Sequence, residues 1–117
     1  MLQPIISELY FHAGFYDYVF ARTKDDTDPV NLRKYDEVLG DVRALLSRHP
    51  GYKLYVTGHS LGAALATLVS FYFACEADLP KPIMCINYAS PRVGDYNFRL
   101  AVQHLEETHQ LRLVRVV

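Results

Sequence analysis

Three apolar runs of strand length, Tyr52–Thr57, Ile83–Tyr88 and Leu111–Val117, are separated by two stretches whose apolar residues recur every three or four positions. Strands joined through helices cannot pair as hairpins. They lie parallel, with right-handed crossovers and helices on both faces of the sheet, so the expected fold class is α/β. Ile83–Tyr88 (Ile-Met-Cys-Ile-Asn-Tyr) is almost wholly apolar, as suits a central strand covered on both sides.

The helical stretches carry their own punctuation. Asp28-Pro29 can serve as N-cap and first helical residue; Leu32, Tyr35, Leu39, Val42 and Leu46 follow on one face until His49-Pro50-Gly51 stops the run. Leu61–Ala77 is rich in Ala and Leu, with Leu61, Ala64, Leu65, Leu68, Tyr72 and Cys75 on one face, and Leu79-Pro80-Lys81-Pro82 breaks it. Asp95 can cap a third helix carrying Phe98, Ala101, Val102 and Leu105. Upstream, Glu8–Phe11 reads as the end of a strand, Phe15–Ala21 as a short helix opened by Gly14, and Asp25-Asp26-Thr27-Asp28 as a solvated loop. Residues 1–117 read as one incomplete domain, because Leu111–Val117 is an apolar strand with neither helix nor loop after it. Such an open edge invites pairing with another chain, and aggregation of the isolated 117-mer is expected.

With 12 Lys+Arg against 13 Asp+Glu and a net charge of −1, the chain lacks the basic footprint that a phosphate backbone or an acidic lipid surface requires. Nucleic acid is not an expected partner. Cys75 and Cys85 are ten apart with no ligand-spaced His, so neither a metal site nor a disulfide is indicated, and both read as buried apolar residues. The first residues lack the basic segment and apolar stretch of a secretory signal, which leaves export unsupported and slightly favours the cytoplasm. Leu54–Cys75 has no Asp, Glu, Lys or Arg, but it contains Gly58 and Gly62 and starts as a strand, so a stable membrane span is not expected. No cofactor is implied, and nothing fixes an oligomeric state.

The chemistry lies at Gly58-His59-Ser60-Leu61-Gly62, a Gly-x-Ser-x-Gly between a strand and a helix. The spacing has a steric reason: the serine occupies a tight, strained turn, and the residues two before and two after must be small for strand and helix to approach. Ser60 is then an exposed hydroxyl at the positive end of a helix, and the Leu61 N–H is the natural donor to a developing oxyanion. The plain alternative is that both glycines are ordinary turn residues and Ser60 is an N-cap.

Three segments resemble the fungal-type class 3 lipases of the α/β-hydrolase fold: Val56-Thr-Gly-His-Ser-Leu-Gly-Ala-Ala-Leu-Ala-Thr67, Tyr88-Ala-Ser-Pro-Arg-Val-Gly94 and His12-Ala-Gly-Phe15. The resemblance implies hydrolysis of carboxylic esters, commonly acylglycerols, by a Ser-Asp-His triad, of which the nucleophile maps onto Ser60. It implies that the acid, in an Asn-x-x-Asp segment, and the base both fall past Val117, and that a second oxyanion donor falls before Met1. The chain then resembles the central part of a lipase domain, with a partial α/β-hydrolase fold and a lipid or other ester as substrate. Phospholipase A1 and galactolipase activities stay open.

An internal triad of Ser60, Asp95 and His104 or His109 has the right order, but His104 lies on the helix that Asp95 caps and would be carried away from Ser60. His59 is wrongly placed to serve its neighbour, His12 reads as structural, and His49 suits a helix C-terminus. Tyr10, Phe11, Phe15, Tyr16, Tyr18 and Phe20 read as core, with contact to acyl chains as the alternative. The rival to an enzyme is a catalytically silent lipase-like module that acts by binding.

Overall fold

The computed structural model describes residues 13–20 and 33–117. In chain order they form α1 (Ala13–Phe20), α2 (Lys34–Arg48), β1 (Tyr55–His59), α3 (Leu61–Ala74), β2 (Ile83–Tyr88), α4 (Tyr96–Glu107) and β3 (Leu111–Val116). The strands form one parallel sheet in the order β1-β2-β3. In register, His59 stands beside Tyr88 and Tyr88 beside Val116, so the three carboxyl ends form one edge. The expected alternation of helices and strands is present from α2 to β3.

Element ends differ from expectation where local bonding decides them. Arg33 is extended (φ −74°, ψ 153°), so α2 starts at Lys34 rather than at Pro29; Asp28 and Leu32 lie outside the described residues. The Asp36 carboxylate accepts from the Arg33 guanidinium at 2.8 Å and 3.0 Å and holds that start. The strand expected over Tyr52–Thr57 runs instead over Tyr55–His59, because its partner Met84–Tyr88 pairs through Gly58 and His59. Asp95 caps α4 as expected, accepting from the Phe98 N–H at 2.9 Å, and Phe98, Ala101, Val102 and Leu105 are buried. The short helix expected over Phe15–Ala21 is α1; the strand end at Glu8–Phe11 lies outside the described residues.

Helix α3 is the centre of the core. Beyond the expected face, Ala63, Ala66, Thr67, Ser70, Phe71, Phe73 and Ala74 are buried, whereas Leu61 and Cys75 are exposed. It is covered on two sides, by the sheet and by α1 and α2, which is why its apolar surface runs nearly all round. The Tyr72 ring packs at a tilt on Phe20, centroids 4.5 Å apart, and Phe73 likewise on Tyr35 at 5.7 Å. Each fully buried side chain here, such as Leu68 or Phe71, contributes about 2 to 3 kcal/mol of transfer energy. The ammonium of Lys81 closes the far end of α3 by donating to the carbonyls of Phe73 and Glu76.

Val56, Gly58, Cys85, Asn87, Leu111 and Leu113 point to the side of the sheet that α3 and α4 cover, and the Phe71 and Phe98 rings of those two helices meet at 5.0 Å. The opposite face carries Tyr55, Tyr88, Val114 and Val116, all exposed. Helices on both faces are the expectation; among the described residues they occupy one. The α/β class and the parallel sheet stand.

Candidate active site

Ser60 directly follows β1 and precedes α3, with φ 54° and ψ −116°. A non-glycine residue rarely adopts such a backbone, and two constraints hold it there. The Ser60 N–H donates to the Tyr88 carbonyl at 2.8 Å, and the Ser60 carbonyl accepts from the Ala64 N–H at 3.1 Å. The Gly58 backbone lies against Gly62: a Cβ built on Gly58 would overlap the Gly62 carbonyl and come within 2.7 Å of the Ala63 nitrogen. Gly58 must therefore be glycine. Gly62 is a correction to the paired-glycine reading, since a Cβ there meets nothing within 4 Å among the described residues. Its backbone, not its missing side chain, makes the contact.

The side chain of Ser60 makes no capping hydrogen bond and its backbone is not the extended form of an ordinary N-cap. Ser60 is exposed at the carboxyl edge of the sheet. Leu61 opens α3, where helix geometry leaves its N–H without an intrahelical acceptor, and its side chain is exposed. An oxygen held near both groups would meet the positive end of the α3 dipole.

The internal triad is not assembled. Asp95 is occupied by its cap on Phe98, and α4 runs back from the carboxyl edge with His104 exposed in its last turn. His109 precedes β3, whose first residue pairs with the first residue of β2, so it stands at the amino edge. That is one strand length from Ser60, roughly 17 Å. His59 ends β1 beside Tyr88, on the side of the sheet away from α3. His49 caps the C-terminus of α2 and packs on Tyr52, as its position suggests. Of the aromatic segment, Phe20 is core, whereas Tyr18 is exposed beneath the Lys34 ammonium, 3.7 Å above its ring. His12, Tyr10 and Phe11 lie outside the described residues. Among the described residues no group of His, Cys, Asp or Glu could hold a metal ion, and no helix is long and apolar enough to cross a membrane.

Sequence reasoning missed a buried polar pair behind the elbow. Asn87, 1% exposed on β2, donates from Nδ2 to Thr67 Oγ1 on α3 at 2.9 Å, and Thr67 donates to the Ala63 carbonyl at 2.8 Å. The signal was the single amide within the apolar run Ile83–Tyr88. Cys85 is buried as expected, and burial raises its thiol pKa. Cys75, expected to be buried, is exposed, although its thiol donates to the Phe71 carbonyl at 3.4 Å. A groove of about 790 Å³ opens between α4 and β2–β3, lined by Asn87, Val93, Phe98, Val102 and Leu113 among others; Ser60 does not line it.

The sequence profile described as lipase (class 3) matches residues 2–117. The chain belongs to the class 3 lipase family. It is 34% identical over 116 residues to phospholipase A1-IIgamma of Arabidopsis thaliana, covering 90% of this chain and 27% of that protein. With a lipase of Rhizopus niveus it shares 38% identity over 78 residues, 62% of this chain and 20% of that one. The structure of a triacylglyceride lipase from Rhizomucor miehei superposes with a TM-score of 0.67 at 25% identity, over 96% of this chain and 37% of that chain. The chain thus spans between about a fifth and somewhat over a third of the length of these relatives.

Proposed function

We propose that Ser60 is the nucleophile of a carboxylic-ester hydrolase acting on acylglycerol lipids, and that residues 1–117 are the central part of a longer α/β-hydrolase domain. The positive-φ backbone of Ser60, wedged between the end of β1 and the start of α3, carries the reading. Strain of this kind costs about 1 to 3 kcal/mol, and a plain cap has no need of it. Ser60 Oγ attacks the ester carbonyl while a base takes its proton, and the Leu61 N–H stabilises the oxyanion. Collapse expels the alcohol, which takes the proton back from the base. Water, activated by the same base, then attacks the acyl-enzyme, releases the carboxylic acid and restores Ser60.

The base in this reading is an Asp-supported His contributed from outside residues 1–117, because Asp95 is engaged in its cap and His109 stands at the far edge of the sheet. The relatives named phospholipase A1 and lipase support a glycerolipid substrate, with phospholipids and triacylglycerols both within the class. The same placement of Asp95 and His109 favours, as the second reading, a silent lipase-like module. Fluorophosphonate labelling in native extract, followed by intact mass and mapping of the modified residue, separates the two. Label on Ser60, on a species heavier than 13.4 kDa, supports the hydrolase. An unlabelled species of 13.4 kDa overturns it and supports the module.

A further inference from the structure

We propose that Asn87 is a positioning residue for the Ser60 elbow and acts through Thr67; its catalytic meaning rests on the reading of Ser60 as the nucleophile. Strand β2 grips the elbow at two consecutive residues. The Tyr88 carbonyl accepts the Ser60 N–H at 2.8 Å, and the Asn87 side chain reaches α3 at Thr67, 2.9 Å away. Thr67 in turn donates to the Ala63 carbonyl at 2.8 Å, in the turn whose nitrogen crowds Gly58. Gly58 is also the residue that pairs with Asn87 in register. The side-chain link therefore lies beside the point where the Gly58 backbone meets the start of the helix.

The chemistry of the pair fixes its direction. A hydroxyl has one hydrogen, and that of Thr67 goes to Ala63, so Thr67 can only accept from Asn87. This orients the amide with Nδ2 on Thr67 and leaves Oδ1 buried with no partner among the described residues. An apolar residue would fill this position of β2 with no such orphan, so packing alone does not call for an amide. What the amide adds is a directional tie between β2 and the first two turns of α3. Through it, the Leu61 N–H is held in a set relation to Ser60, whose own N–H is fixed by the next residue of the same strand.

The test compares Asn87→Leu, the nearly isosteric Thr67→Val and the conservative Thr67→Ser in the full gene product, by amide hydrogen exchange and by the rate of fluorophosphonate labelling. The Ser60 and Ala64 amides are expected to exchange at least about tenfold faster in Asn87→Leu and Thr67→Val, with the Leu105 amide of α4 unchanged. Thr67→Ser is expected to restore the wild-type rates. Labelling of Ser60 should slow by about tenfold in the same two variants and recover in Thr67→Ser. Unchanged exchange at Ser60 in Thr67→Val overturns the proposal, as does a rise shared equally by Leu105, which marks a general loss of stability. A wild-type protein that takes no label refutes the nucleophile reading, while the exchange comparison still decides whether Asn87 positions the elbow.

Discussion

The N–H of Ser60 and the carbonyl of Tyr88 are joined at 2.8 Å across the carboxyl ends of two neighbouring parallel strands. This bond ties a residue at φ 54°, ψ −116° to the most buried strand of the sheet. Glycine adopts that backbone without a steric penalty, whereas alanine retains the strain. Ser60→Gly is therefore expected to be more stable than Ser60→Ala by about 1 kcal/mol in urea unfolding, after allowing for glycine's freer unfolded chain. Both variants should take no fluorophosphonate label. A less stable glycine variant would mean that Ser60 is not strained.

The two glycines of the elbow differ in what they tolerate. Gly58→Ala drives a methyl into the Gly62 carbonyl and the Ala63 nitrogen, which are backbone atoms that cannot swing aside. The expected cost is about 3 kcal/mol or more, with loss of any labelling at Ser60. Gly62→Ala meets open space and removes a glycine from the first turn of α3. It is expected to be neutral or stabilising by up to about 1 kcal/mol. Thermal melts of the two variants decide the matter, and equal destabilisation would contradict the asymmetry.

The elements of this chain were legible where a local signal and the tertiary contact agree. Asp95 caps α4 because a side-chain acceptor at that spacing satisfies the Phe98 N–H whatever else surrounds it. The glycine at 58 was legible for the same reason, as its constraint arises within five residues. The start of α2 was not, because the extended Arg33 that precedes it, paired with Asp36, is not a residue type that signals a cap. The buried width of α3 was misread because its second covering layer, Phe20 and Tyr35, comes from distant segments. Asn87 was hidden by its context: within an apolar strand, only the position of Thr67 across the helix reveals what the amide does.

Tyr35 ties α2 to the end of α3 and gives stability a pH dependence. Its hydroxyl donates to Glu76 Oε1 at 3.0 Å, and its ring is buried against Phe20 and Phe73. Burial first, then the hydrogen bond and the Glu76 charge, push its pKa far above the usual tyrosine value. A raised folded pKa stabilises fully below the unfolded pKa, and that stability is lost as pH rises above about 10. Tyr35→Phe should cost about 1 to 2 kcal/mol at pH 7. Between about pH 9 and 11, wild type should lose stability more steeply than Tyr35→Phe; parallel slopes would show that the hydroxyl is not held in its neutral form.

Cys75 looks reactive by exposure and is not by chemistry. Its thiol donates to the Phe71 carbonyl at 3.4 Å in the last turn of α3, and its pKa is pushed up to about 11. Burial of the sulfur is the main cause; the Lys81 charge opposes it and Glu76 adds to it. The thiolate is the attacking species, and so high a pKa leaves on the order of 100-fold less of it at pH 8 than an ordinary thiol has. Iodoacetamide should therefore modify Cys75 far more slowly than an unperturbed exposed thiol, and Cys85, fully buried, more slowly still. The rate at Cys75 should climb about tenfold per pH unit past pH 9, where an ordinary thiol levels off. Mass spectrometry of the alkylated peptide across that range measures it, and a plateau by about pH 9 would place the Cys75 sulfur in water rather than against the helix end.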